Sequence, residues 1–357
     1  MSFEPRPTVQ PWARVNKSRR AEIIFAALVP LAIAIALIAF GFDRNLTLVG
    51  VFLPIQVVSA SVVGYRAFGR RGVGDAALIV FVFFLASFVL VLLASVVTSL
   101  VTQGSKALSW SFVTQNNIYV SNTTSLDYGG VGHAIVGTLM IVGLTTLVTV
   151  PLGIAMAIYL TQSQSKIKNL VRTLTQAISG LPSVVAGLFV FSMVLTFSWE
   201  KSGIMGSMAL LPLMLPTVAR VAEEALRLVP VDLRYAALAL GAPNYRAFFQ
   251  VILPAAKSGI ITAILLGVAR IIGETAPLLL TVPINNGTSW NIFSGSIMTL
   301  PAYIYGYLSS LFSTSQNRAW GGALVLMIIV AVLFTTTRIL SRPKSMKSKP
   351  TKQKASK

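Results

Sequence analysis

The feature that most constrains this chain is a succession of uncharged apolar runs, each about as long as a bilayer is thick. They cover residues 23–42, 46–65, 76–101, 132–160, 174–197, 203–219, 258–282 and 319–337, with Arg270 and Glu274 as the charges inside one of them. A helix crosses the hydrocarbon core with about 20 apolar residues. In lipid a backbone must satisfy its own hydrogen bonds, which leaves helices and closed barrels. Runs this long without two-residue alternation predict helices. The expected fold is therefore all-α: a polytopic membrane helix bundle with about eight transmembrane helices. Composition agrees, since only 11% of the residues are charged, against about 25% in soluble domains.

The charges that remain are placed unevenly. The net charge is +19. Eight Lys and Arg lie from Arg338 to the C-terminus and five precede residue 21. Most others fall at Arg66, Arg70 and Arg71, at Lys166, Lys168 and Arg172, and within 220–257. The opposite side holds only Arg44, Lys106, Lys201 and Arg318. That asymmetry places eight spans with both termini in the cytoplasm. It also excludes nucleic acid as a partner, because no basic groove with interleaved aromatics is present. The first run exceeds the apolar core of a signal peptide and is expected to remain as a helix. Residues 1–22 and 342–357 read as basic cytoplasmic tails, 23–75 as a two-helix membrane extension, and 76–341 as the main membrane domain. Trp290, Tyr303, Tyr305 and Tyr307 lie in a long loop, 283–317, where aromatics suit a membrane interface.

Several chemistries are excluded. There is no cysteine, and the one histidine, His133, has no nearby acid or thiol, so no metal site is expected and His133 reads as an interfacial residue. No Gly-Lys pair occurs, so the lysine-bearing phosphate loop of an ATPase is absent. This chain is not expected to be an enzyme or to hold a cofactor.

The loop 220–257 carries most of the remaining information. Pro230 can open a helix, Ala236 and Ala237 allow close backbone approach, and Gly241 suits a helix end. Pro243 blocks continuation. Tyr245, Phe248, Phe249 and Ile252 are expected on one face of a second short helix, which would enter a groove on a partner. The register Tyr235-Ala236-Ala237, Gly241, then Val251-x-Leu253-Pro254 resembles the coupling loop of binding-protein-dependent ABC importer permeases. Tyr235 stands where that family has glutamate, and Val251 where it has isoleucine. The resemblance implies a type 1 transmembrane domain over about 132–340, a six-helix core to which the first hairpin is an addition. It also implies docking of Ala236, Ala237, Gly241, Tyr245, Phe248, Leu253 and Pro254 on a separate ATPase, with ATP and Mg held by that partner.

The seventh run contains Arg270 and Glu274, four residues apart and so expected on one helical face. Charge inside a span costs about 2.5–3.5 kcal/mol and marks bundle interiors or water-filled paths. An ion pair bracing two helices and an anion path are both consistent with the spacing. Arginine matches phosphate oxygens as a planar fork, and a neighbouring carboxylate would accept a hydrogen bond from a protonated anion while repelling a fully ionised one. The stretch Arg270-x-x-Gly273-Glu274-Thr275-Ala276-Pro277 is similar to the signature of phosphate importer permeases. That resemblance implies translocation roles for Arg270 and Glu274, with Thr275 added by adjacency. It further implies a prokaryotic cell membrane, a homologous permease subunit, an ATPase dimer and an extracytoplasmic phosphate-binding protein. A permease for another oxyanion, and a membrane sensor or scaffold that does not transport, are the alternatives.

Overall fold

A computed structural model describes residues 17–43 and 47–340. The two expected tails and Arg44 fall wholly or largely outside the described residues. Every regular element among them is helical. The chain divides into two compact units, Met1–Thr98 and Ser99–Lys357.

In the first unit, α1 (Lys17–Ala39) pairs with α2 (Leu53–Phe68), which follows a π-helical turn at Leu48–Phe52. The pairing has a polar centre with a clear origin. Pro30 lies inside α1 and has no N–H, so it cannot donate to the Ala26 carbonyl four residues back. Gln56 Nε2 and Ser59 Oγ of α2 donate to that oxygen instead, at 3.1 and 2.9 Å. An unmet carbonyl in lipid costs several kcal/mol, so these two side chains hold the expected hairpin in register. Helix α3 (Arg70–Gly104) follows.

The second unit contains α4 (Trp110–Thr114), α5 (Gly132–Gln162), α6 (Ile167–Ser179), α7 (Ser183–Thr196) and α8 (Gly203–Arg227). After these come α9 (Val231–Ala239), α10 (Asn244–Ala247), a π turn at Phe248–Ile252, α11 (Leu253–Ala255) and α12 (Lys257–Ile272). The last three are α13 (Ala276–Thr281), α14 (Leu300–Leu308) and α15 (Ser313–Leu340). Among the described residues, five helices are long and apolar enough to cross a membrane, and up to seven spans result if two sharply bent pairs count as one each. The remaining expected span, 23–42, falls on α1.

Two expected spans are not straight. The fifth run turns by 99° between α6 and α7. Gly180 closes α6, and Pro182, which lacks an N–H, caps α7, so the hydrogen-bond ladder cannot run through. The seventh run stops at Ile272 and resumes at Ala276. Pro277 sits in the first turn of α13, where its missing donor costs nothing, whereas inside a continuous helix it would break the ladder.

Helix α8 is the spine of this unit. Ile141 of α5, Leu210, Leu213, Met214 and Val218 of α8, and Ile271 of α12 form one buried cluster. Between membrane helices, small residues set how closely backbones approach. A Cβ on Gly153 would come within 2.9 Å of Val218, and one on Gly187 within 2.6 Å of the Pro277 Cα. Gly137 packs directly on the Met298 backbone carbonyl. Gly137→Ala should therefore cost about 1–3 kcal/mol and lower the melting temperature of the detergent-purified chain. Gly143→Ala, whose Cβ would meet nothing within 4 Å, should leave it unchanged or slightly higher.

Candidate translocation site

The interruption in the seventh run is where charge and irregular backbone coincide. Arg270 lies in the last turn of α12, Gly273 caps it, and Glu274 and Thr275 form the link to α13. The two charged residues therefore do not share a continuous helical face, as their spacing had suggested. No ion pair joins them. The ion pairs among the described residues are Arg172–Glu223, Arg227–Glu223 and Arg220–Glu224. Arg270 is exposed and donates through Nη1 to Thr217 Oγ1 of α8 at 3.0 Å. The Glu274 carboxylate is half-buried and has no hydrogen-bond partner among the described residues. Thr275 Oγ1 reaches only the Gly273 carbonyl, at 3.5 Å, the outer limit for such a bond. What results is a guanidinium with spare donors, a carboxylate with spare acceptors, and a hydroxyl beside them. Pro277 and Leu278 behind them are buried, with Pro277 seated on Gly187 of α7.

The loop 220–257 has the expected helix end. Gly241 adopts φ +83°. Its N–H donates to Leu238 O at 2.9 Å, and that of Ala242 to Ala237 O at 3.1 Å, the paired closure that a left-handed residue allows. Ala236, Tyr235 and Leu240 are exposed and Ala237 is buried. The four residues expected on one face separate into two. Phe248 and Ile252 are buried among Ala222, Leu226 and Ile260, whereas Tyr245 and Phe249 are 59% and 57% exposed. Each pair is four residues apart, and the π turn at Phe248–Ile252 shifts the period that the sequence pattern assumed. Leu253 is half-buried and Pro254 exposed.

Four buried charged or titratable groups were not legible as such. Glu223, only 8% exposed, is a hub: its Oε1 accepts from Arg172 Nη2 of α6 at 2.7 Å and from Arg227 Nη2 at 2.6 Å. These residues line a polar cavity of about 270 Å³ with Thr175, Gln176 and Arg220. In the part of the unit formed by α4, α14 and the start of α15, Arg318 is fully buried. It donates to the Ser125 and Thr124 carbonyls at 2.7 and 3.2 Å. His133, expected at an interface, is also buried and meets Tyr303 edge-on at 5.8 Å. Tyr303 is buried too, not interfacial. Asn117 Nδ2 donates to the hydroxyls of Tyr307 and Tyr303 at 2.8 and 3.3 Å. Burial pushes the Tyr303 phenol well above its ordinary range, so it stays a neutral hydroxyl. The sequence signal for Glu223 was its i,i+4 spacing to Arg227; Arg318 and His133 looked like loop flanks because each sits at the edge of an apolar run.

A bundle of apolar helices, one of them interrupted around unpaired charge, is the construction of a membrane transport subunit. The chain belongs to the family described as "Binding-protein-dependent transport system inner membrane component", whose model matches residues 149–343. Its relatives there are phosphate transport system permease proteins of the PstA type. One from Mycobacterium tuberculosis is 41% identical over 57% of this chain and 68% of its own length. One from Haemophilus influenzae is 38% identical over 69% of this chain and 86% of its own. Among solved structures, a chain of the inward-facing MetNI methionine ABC transporter overlaps 60% of this chain and 93% of its own at 18% identity, with a TM-score of 0.47.

Glu223→Gln removes the charge from both arginine contacts at once. Breaking a fully buried pair costs about 3–5 kcal/mol. Arg172 and Arg227 are 34% and 54% exposed at their side chains, so water recovers much of that. The expected loss is about 1–2 kcal/mol, read as a lowered melting temperature. Glu224→Gln, at an exposed pair, should change it little.

Proposed function

We propose that this chain is the permease subunit of an ATP-driven importer of inorganic phosphate, forming the translocation pathway with a second, homologous permease. Two ATPase subunits would dock on the cytoplasmic loop and hold ATP and Mg; an extracytoplasmic phosphate-binding protein would deliver the substrate. The observation that carries this reading is the interruption at Gly273–Thr275. It leaves Arg270 with one neutral partner and Glu274 with none, in a chain whose relatives are phosphate permeases.

The chemistry follows from those two groups. The free guanidinium donors of Arg270 match two phosphate oxygens. Near neutral pH phosphate still carries a proton, and its P–OH can donate to the Glu274 carboxylate. Sulfate has no such proton and meets like charge. Thr275 can turn its hydroxyl toward either anion. Helix interruption is tolerated in membranes where the freed backbone lines a cavity, and discontinuous helices recur at transporter binding sites.

Energy would arrive through α9 and the helices after it. Tyr235, Leu240, Tyr245 and Phe249 are exposed apolar or aromatic side chains on that loop and suit a groove on the ATPase. Docking there would be largely apolar, since Tyr235 offers a hydroxyl and no charge. Closure of the ATPases would draw the two coupling loops together and switch the helix core between inward and outward access. Both termini lie in the cytoplasm in this arrangement.

Uptake into vesicles carrying the whole transporter tests the assignment. Arg270→Ala removes charged hydrogen bonds worth about 1.5–3 kcal/mol each, so phosphate uptake should fall tenfold or more. Uptake within about twofold of wild type, a change of under 0.5 kcal/mol, would sink the pathway assignment. Glu274→Gln should narrow the preference for phosphate over sulfate. An unchanged preference would remove Glu274 from selectivity.

A further inference from the structure

Helix α6 is amphipathic and lies at 99° to α7. Its apolar residues Ile167, Leu170 and Leu174 recur at steps of three and four, and each is more than half exposed. Lys168 and Arg172 lie on the same helix. An amphipathic helix of this kind lies in the plane of a membrane surface, its apolar side among acyl chains and its basic residues among headgroups.

Past the corner, α5, α7 and α8 wall a groove of about 620 Å³, the size of a ligand pocket. Leu152, Leu181, Val185 and Phe189 line it, and Thr149 carries the only side-chain oxygen or nitrogen in its walls. Val185 and Phe189 are 46% and 64% exposed, so the groove is open along its flank.

The groove and the arginine-lined cavity follow one another along α8. On α8, Met208, Pro212, Pro216, Arg220, Glu223 and Arg227 follow at steps of four or three and so form one stripe. The first two line the groove; the other four line the polar cavity. The same handover occurs at the corner, where Ile178 and Leu181 face the groove and Gln176 and Ser179 the cavity. Glu223 takes one nitrogen from Arg172 and one from Arg227, and Glu224 takes Arg220 Nε. Three arginines against two carboxylates leave net positive charge and unused donors.

We propose that this groove and cavity together bind an anionic phospholipid, with an acyl chain between α5, α7 and α8 and the headgroup phosphate against Arg172 and Arg220. Shape and charge both select that occupant. A free anion would fill the arginine end and leave the apolar walls empty. An apolar helix from another chain would fill the walls and leave the donors unmet. A phospholipid matches both at the level where α6 marks the membrane surface. Once seated, it would brace α6 against α8 beside the Glu223 contacts. The inference does not depend on phosphate being the cargo.

The assembled transporter, reconstituted with equal phosphatidylglycerol and phosphatidylcholine and returned to detergent, can be read by native mass spectrometry for retained lipid. Wild type should retain phosphatidylglycerol about tenfold over phosphatidylcholine, the scale expected of a few interfacial basic residues. Arg172→Gln combined with Arg220→Gln should bring the two lipids to parity. Val185→Trp, which fills the groove, should lower retention of both. Excess inorganic phosphate should not displace the lipid. Should the double variant fail to assemble, Arg220→Gln alone, at an exposed pair, should still weaken the preference. The proposal is overturned by wild type retaining no lipid, by retention without headgroup preference, by a preference that survives the arginine changes, by retention unaffected by Val185→Trp, or by displacement with inorganic phosphate, which would assign the arginines to a free anion.

Discussion

A carbonyl or N–H freed inside a bilayer has no water to turn to, and each of the two units is organised around where its helical ladder is interrupted. Proline sets those places. At Pro30 the freed Ala26 carbonyl is met by Gln56 and Ser59 from the neighbouring helix. At Pro182 the ladder ends altogether and the chain turns through 99°, which sets α6 across the direction of α7. At Pro277 the helix stops and restarts, and the restart is pressed onto Gly187 with no room for a side chain. At Pro30 and Pro277 a neighbour comes close enough to cover the break, at Pro277 because Gly187 carries no side chain. At the charged interruption, 273–275, Glu274 is left without a partner among the described residues, and Arg270 meets only a neutral hydroxyl.

That contrast sets the paired polar groups of the fold apart from the proposed pathway residues. Glu223 is paired twice, Arg318 donates to two carbonyls, and Asn117 reaches two tyrosine hydroxyls. Those groups hold helices and loops to each other. Arg270 and Glu274 hold nothing to anything except Thr217. Charge kept at membrane depth without an opposite charge beside it is expensive, and a passing anion that meets both groups is the proposed reading that gives the expense a use.

Much of the architecture was legible from residue order. The apolar runs located the helices, and Gly241 located a helix end, where the structure shows a positive φ. What was not legible depended on geometry at the level of one helical turn. The i,i+4 spacing of Arg270 and Glu274 implies a shared face only if the helix continues, and Gly273 with Pro277 stops it. Tyr245, Phe248, Phe249 and Ile252 look like one face under a 3.6-residue period; the π turn divides them into an exposed pair and a buried pair. His133 and Arg318 sit at the ends of apolar runs, where sequence cannot tell a headgroup neighbour from a buried one. Arg318 is met by the carbonyls of Thr124 and Ser125 and His133 by the ring of Tyr303, tertiary contacts with no local pattern.

The chain contains no cysteine, so a single introduced thiol reports one place without background. Gly273 lies exposed at the interruption, with φ near −99° and nothing within 4 Å of an added Cβ. If the interruption lines an aqueous anion path, Gly273→Cys in the assembled transporter will react with a membrane-impermeant, water-soluble thiol reagent applied to the side to which the pathway is open, and phosphate will slow that reaction more than sulfate does. A thiol that stays unreactive from both sides, or one that reacts at the same rate with and without phosphate, would contradict the account.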